Sequence, residues 1–181
     1  MTYIKHISIS LLIALLVAVG FIYSGLYSIG ADNKHNAVTY WILETLRTKS
    51  IARAASDIEV PSLTNPQMLL SGGADYNDMC SGCHLKPGQE DSDMTLGLYP
   101  SPPNLTLSPK KHDHEHADAD HNDPDTMSRQ QFWVIKHGIM ASGMAAFGPT
   151  HDDDRIWAMV AFLNKLPELT PEQYQIITAR Q

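Results

Sequence analysis

Cys80-Ser81-Gly82-Cys83-His84 contains the only two cysteines of a 181-residue chain, with a histidine directly after the second. Two thiols at this spacing, followed at once by an imidazole, suit three kinds of chemistry. They can cycle as a redox dithiol, supply half of a zinc site, or bond the vinyl groups of a porphyrin whose iron the histidine ligates. C-x-x-C-H is the attachment signature of c-type haem. A thioether at Cys83 fixes one porphyrin edge, and His84 can then project its imidazole onto the axial position. Zinc needs further ligands, and there is no third cysteine. A thioredoxin-like motif opens a helix within a βαβ pattern, whereas no β-rich alternation precedes Cys80. The reading is one covalently attached haem c.

Iron held by one histidine needs a sixth ligand or an open position. The chain has 8 Met. Met1 precedes an apolar run, Met79 touches the attachment motif and Met159 lies in a core-like helical pattern, so these three drop out. Two predicted helices frame a loop that holds Met140 and Met144. Ser128 to Gly138 reads as a helix with Ser128 as N-cap, Gln131 completing a capping box and Gly138 as the stop. The next starts near Thr150, carries Asp152, Asp153 and Asp154 in its first turn, and continues through Ile156, Val160 and Leu163 to its break at Pro167. The connecting loop is rich in small residues, able to pass close to a flat ring and aim one thioether at its iron. Met144 is the first choice there, Met140 the second and His137 the non-methionine rival, with core filling the alternative for either methionine.

The elements that must position this site lie behind a long apolar segment. Ile7 to Ala31 carries no charged residue, and the run to Ile29 is long enough for the roughly 30 Å hydrocarbon core. A secretory signal has a shorter apolar core and a small-residue cleavage site, to which Ser28-Ile29-Gly30 is a weak match. An uncleaved anchor is the preferred reading, with Tyr23 and Tyr27 as interfacial aromatics. Lys5 precedes the span, which puts the N-terminus in the cytoplasm and the rest outside. Since Lys5 is the single charged residue before Asp32, all 20 acidic and all but one of the 13 basic residues lie beyond the span. Such an acidic remainder argues against nucleic acid as a partner.

From about Leu63 to Leu169 the chain resembles the class I c-type cytochromes. The likeness rests on Gly73-Ala74-Asp75-Tyr76-Asn77-Asp78-Met79 ahead of the attachment motif, on Pro102-Pro103-Asn104-Leu105, on the Gly143-Met144 loop, and on a C-terminal helix with Trp157 and Phe162. It is more particularly similar to membrane-anchored monohaem cytochromes of proteobacteria, through Leu98-Tyr99-Pro100, Ile135-Lys136-His137-Gly138 and Leu166-Pro167. One position departs: proline often follows the methionine ligand in such proteins, and here Ala145 stands there, which implies a slightly more mobile Met144.

The resemblance implies an all-α class I cytochrome c fold around one covalent haem, preceded by a single N-terminal transmembrane helix. Residues 1–6 are then a cytoplasmic N-terminus, 7–30 the anchor, 31–64 a helical connecting arm, 65–169 the cytochrome c domain with a His/Asp-rich loop at 110–125, and 170–181 a tail. It also implies that the carbonyl of Pro103 accepts a hydrogen bond from His84, fixing tautomer and orientation. Leu105, Trp133 and Phe147 are expected against the ring, with generic core as the alternative. The crossing of the helix before the motif with the C-terminal helix has a reason in the residues. Asn65-Pro66 reads as N-cap and first helical position, and Gly72-Gly73 would each cost about 1 kcal/mol relative to Ala unless a close approach requires them. Trp157 is the expected partner.

Two segments have no evident haem role. Leu43, Leu46, Ile51, Ala54, Ala55 and Ile58 recur at helical spacing, with Arg47, Lys49 and Arg53 off the stripe. They form either an arm packed on its own domain or a dock for a partner subunit or lipid head groups. The loop from Lys110 to Asp125 offers His112, His114, His116 and His121 as speculative metal ligands, and a merely tolerated solvated loop is the alternative. The function expected is a one-electron carrier in a respiratory chain of the bacterial inner membrane, haem domain in the periplasm, with donor and acceptor proteins as partners. The alternatives are a haem enzyme or gas sensor with a labile sixth ligand, an electron-transfer subunit of a larger dehydrogenase or oxidase complex, and a binding module in which haem is structural.

Overall fold

The computed structural model describes residues 2–107 and 124–179. These are helical, with no strand among them, and divide into two compact units, residues 1–33 and 34–181. The loop histidines His112, His114, His116 and His121 lie outside the described residues.

The first unit is one helix, α1 (Thr2–Ser24), with no buried side chain. It is long and apolar enough to cross a membrane, which is consistent with membrane anchoring. It starts and ends earlier than the 7–30 read from charge alone. The Ser24 hydroxyl turns back to the Phe21 carbonyl and Gly25 takes φ +65°, a left-handed stop that favours glycine.

The second unit contains α2 (Ala37–Ala55), α3 (Pro66–Asp75), a π turn (Tyr76–Cys80), α4 (Ser81–His84), α5 (Asp93–Gly97), α6 (Pro124–His137), α7 (Asp153–Lys165) and α8 (Pro171–Thr178). Its centre is α7, where every residue from Ile156 to Leu163 is buried. The Asp152 side chain caps this helix by accepting from the Arg155 amide, with Asp153 and Asp154 at the positive end of the dipole.

On one side α3 crosses α7 at backbone contact. Asn65 caps α3 and Pro66 opens it, as the residue types dictate. A Cβ on Gly72 would stand 1.9 Å from the Ala158 carbonyl oxygen, and one on Gly73 would stand 3.0 Å from the Phe162 ring. The partners of the glycine pair are therefore Ala158 and Phe162, not Trp157. Trp157 faces the other way and stacks on Phe132 of α6, with ring centroids 4.1 Å apart and planes 17° from parallel. An ion pair spans the same crossing: Arg155 donates to both carboxylate oxygens of buried Asp75 at 2.6 and 2.7 Å.

Two other expectations need correction. Helix α6 begins at Pro124, so Ser128 is an interior residue, not an N-cap. Its buried hydroxyl accepts a hydrogen bond from Asn164 of α7. The stretch written above as a tail includes a packed helix: Tyr174 of α8 is buried against Tyr76 and Phe162, and its hydroxyl donates to Asn77 Oδ1.

Candidate cofactor site

The attachment motif sits on a helix that changes pitch as it arrives. Helix α3 continues into the π turn, where the Ser81 amide reaches back to the Tyr76 carbonyl, and then into the single helical turn of α4. π turns inside helices recur at functional sites. Two hydroxyls hold the ends of this one. Ser81 Oγ donates to the Asn77 carbonyl at 2.8 Å, and the buried Tyr76 hydroxyl lies 2.7 Å from the Leu85 carbonyl and 3.1 Å from that of His84. Leu85, at φ +71°, turns the chain away after His84.

Cys80 and Cys83 are half-buried free thiols. Burial, then the charge of Asp75 and the neighbouring Cys83, push the Cys80 thiol up to about 12. A redox dithiol needs a depressed pKa and an electropositive setting, so the environment of Cys80 opposes that reading.

His84 is gripped on two sides. Its Nδ1–H donates to the Pro103 carbonyl at 2.9 Å, and the Leu105 amide donates to the His84 carbonyl at 3.3 Å. The segment carrying both partners is pinned by Asn104, whose Oδ1 accepts from the amide and hydroxyl of Thr106. With Nδ1 committed as a donor, Nε2 carries the lone pair. Burial lowers the pKa of this imidazole, which favours its neutral, ligating form; the bond to Pro103 opposes that shift.

The methionine loop leaves α6 at Gly138, which closes the helix at φ +66°. A Cβ there would stand 2.7 Å from the Ala146 nitrogen and the Met144 oxygen, so only glycine lets the loop fold back this closely. Met144 is tied at both backbone ends, its amide donating to Ser142 Oγ and its carbonyl accepting from the Ile139 amide. The Phe147 and Gly148 amides then bond the Ile135 and Lys136 carbonyls. These bonds supply a constraint at the place where proline is missing. Met144 is half-buried on the core, as are Leu105, Phe147, Met79 and Cys80. Met140 is 96% exposed. His137 is exposed and leans on half-buried Trp133, 4.9 Å between ring centroids.

The donor set fits a haem: two thiols three residues apart, an imidazole whose Nε2 carries the lone pair, and a half-buried thioether on the loop after α6. Tyr76, which braces the motif, and the Asp75–Arg155 pair were not singled out by residue type. Tyr76 stands four residues before Cys80, one helical turn, which was the available signal. Among the described residues, Gln131 Oε1 and His151 Nε2 are buried without a hydrogen-bond partner.

The family model described as cytochrome C oxidase, cbb3-type, subunit III matches residues 67–163. The chain belongs to this c-type cytochrome family. Searches of curated proteins and of solved structures return no significant match. The matched span runs from the first turn of α3 into the last turn of α7, so this cytochrome carries the motif, Pro103 and the Met144 loop within its family region. Membership makes it a class I c-type cytochrome, implies covalently bound haem c, and makes haem-based electron transfer with redox partner proteins its class of activity.

Proposed function

We propose that this chain is a membrane-held monohaem cytochrome that relays single electrons, with Cys80 and Cys83 as thioether anchors and His84 and Met144 as axial ligands. The observation that carries the reading is the 2.9 Å bond from His84 Nδ1 to the Pro103 carbonyl. It fixes the tautomer and leaves the Nε2 lone pair available, so His84 would hold the haem iron through that nitrogen. The burial of Met144 and the exposure of Met140 support Met144 as the second ligand. When bound, the haem supplies an iron that alternates between ferrous and ferric. The protein ties the His84 side chain to the Pro103 carbonyl and the Met144 backbone to Ser142 and Ile139, which limits reorganisation, and a thioether in place of a second imidazole raises the potential. Leu105 and Phe147, half-buried on the core, would pack against the ring. The reading puts α1 across the bacterial inner membrane with the haem domain in the periplasm, and makes the chain a carrier, not an enzyme.

The purified chain tests this. One haem per chain, slow or absent carbon monoxide binding to the reduced form, and a long-wavelength sulfur-to-iron band lost in Met144→Ala but kept in Met140→Ala are the expected results. Rapid carbon monoxide binding overturns the six-coordinate carrier in favour of a sensor or enzyme.

A further inference from the structure

Helix α2 buries only its C-terminal end. Ala55 is fully covered, and Arg129 of α6 donates to the Ser56 carbonyl just past it. Leu46, nine residues earlier, lies on the opposite side of a 3.6-residue helix and is 65% exposed. Val38 and Ile42 continue the same ridge at four-residue steps, 65% and 50% exposed, with Leu43 and Trp41 exposed on its flanks. Farther along, Arg53 stands two turns from Leu46 on this side, with Lys49 between them. The outward face is thus apolar for its first half and basic for its second, in a chain of net charge −7.

We propose that this face of α2 is a lipid-docking surface that lies in the head-group layer of the membrane α1 enters. The proposal rests on the reading of α1 as a membrane span. Two features choose lipid over protein. Residues 25–36 separate the two helices, a tether whose full extension is only about 40 Å, so α2 can never leave the neighbourhood of the bilayer. The charge is also complementary: α2 carries three bases to one acid, Glu44, which is paired with Arg47, and Arg53 stands exposed on the outward side. A helix with an apolar face, an aromatic such as Trp41 and basic residues beside it is built for an anionic interface.

The test uses the full, haem-loaded chain in phosphatidylcholine vesicles with and without phosphatidylglycerol. A nitroxide is placed at Leu46→Cys, or at Ile42→Cys as the second site, and a control at Gln175→Cys on exposed α8. Docking is expected to make the label on α2 reachable by dissolved oxygen and shielded from an aqueous nickel chelate, while the control stays open to the chelate. Arg53→Gln and Lys49→Gln are each expected to lower the docked-to-undocked ratio about fivefold in anionic vesicles. A label as open to the chelate as the control, in a chain that resists carbonate extraction, overturns the docking and leaves the anchor standing. Shielding from both reagents with spin–spin broadening overturns it in favour of a second copy of the chain. Release by carbonate overturns the reading of α1 itself.

Discussion

Gly72 rests against the backbone of Ala158 so closely that a methyl group on it would stand 1.9 Å from the Ala158 carbonyl oxygen. The contact fixes the distance and roll of α3 on α7, the helix that supplies most of the core. Gly72→Ala must push them apart, and an overpacked helix contact of this kind costs about 3 kcal/mol. The melting temperature of the holoprotein should fall by roughly 10 °C. Gly97→Ala, where a Cβ meets nothing within 4 Å and which lies outside the attachment motif, should leave it unchanged. Equal melting curves for the two variants would show that the crossing is not this tight.

The same crossing carries the Asp75–Arg155 pair. Asp75 is buried while the Arg155 side chain is 43% exposed, so the two partners are not equivalent. Arg155→Leu leaves a buried carboxylate with its bidentate partner removed and should cost about 2 kcal/mol. Asp75→Asn leaves an arginine that water can solvate, and should cost less. Urea titration of both singles and the double checks this. Additive losses would mean that the pair is not coupled.

Removing the Tyr76 hydroxyl withdraws a donor from the Leu85 and His84 carbonyls without opening a cavity. Tyr76→Phe should destabilise by about 1.5 kcal/mol, the cost of a buried acceptor left unsatisfied. The His84–Pro103 bond does not depend on it, so the visible spectrum should keep its shape. A changed axial-ligand spectrum would instead make Tyr76 a determinant of ligation.

Alkaline pH should unfold the domain through its buried phenols. The Tyr174 hydroxyl is pushed up to about 12 from an ordinary 10.0, chiefly by burial, with Cys80 and Asp78 adding to the shift and Ser81 opposing it. Tyr76 is raised further, again chiefly by burial. An acid whose folded pKa is raised favours folding while it is protonated. Its contribution is complete below pH 10 and is lost as pH rises toward 12. Denaturant midpoints should fall over that window, and Tyr174→Phe should make the fall shallower. A slope unchanged by that substitution would sink the assignment.

How much of this was legible depended on whether a residue's role is local. The attachment motif, the Asn65 cap with Pro66, and the Asp152 to Asp154 turn are written in contiguous residues, and each has a short-range physical reason. The small-residue pair Gly72-Gly73 announced a close approach, but not its partner: Trp157 and Ala158 differ by one position, and only the roll of α7 decides which faces α3. Ser128 resembled a cap because the residues before it are so polar, although Pro124 after Asp123 is the same start signal as Pro66 after Asn65. Helix α8 carries a local signal, a Thr170–Gln173 capping box with Pro171 at the first helical position, but not its packing. Tyr174 holds it against Phe162, 12 positions away, and against Tyr76, 98 positions away.

The π turn between Asp75 and Ser81 has a mechanical meaning. One residue of helix is worth about 100° of rotation, so an extra residue accommodated at 76–80 re-indexes everything after it against everything before it. The glycine contact sets the angle of α3 on its neighbour; the widened turn sets, separately, the compass bearing of Cys80, Cys83 and His84. Aim and grip are thus two independent adjustments on one continuous rod.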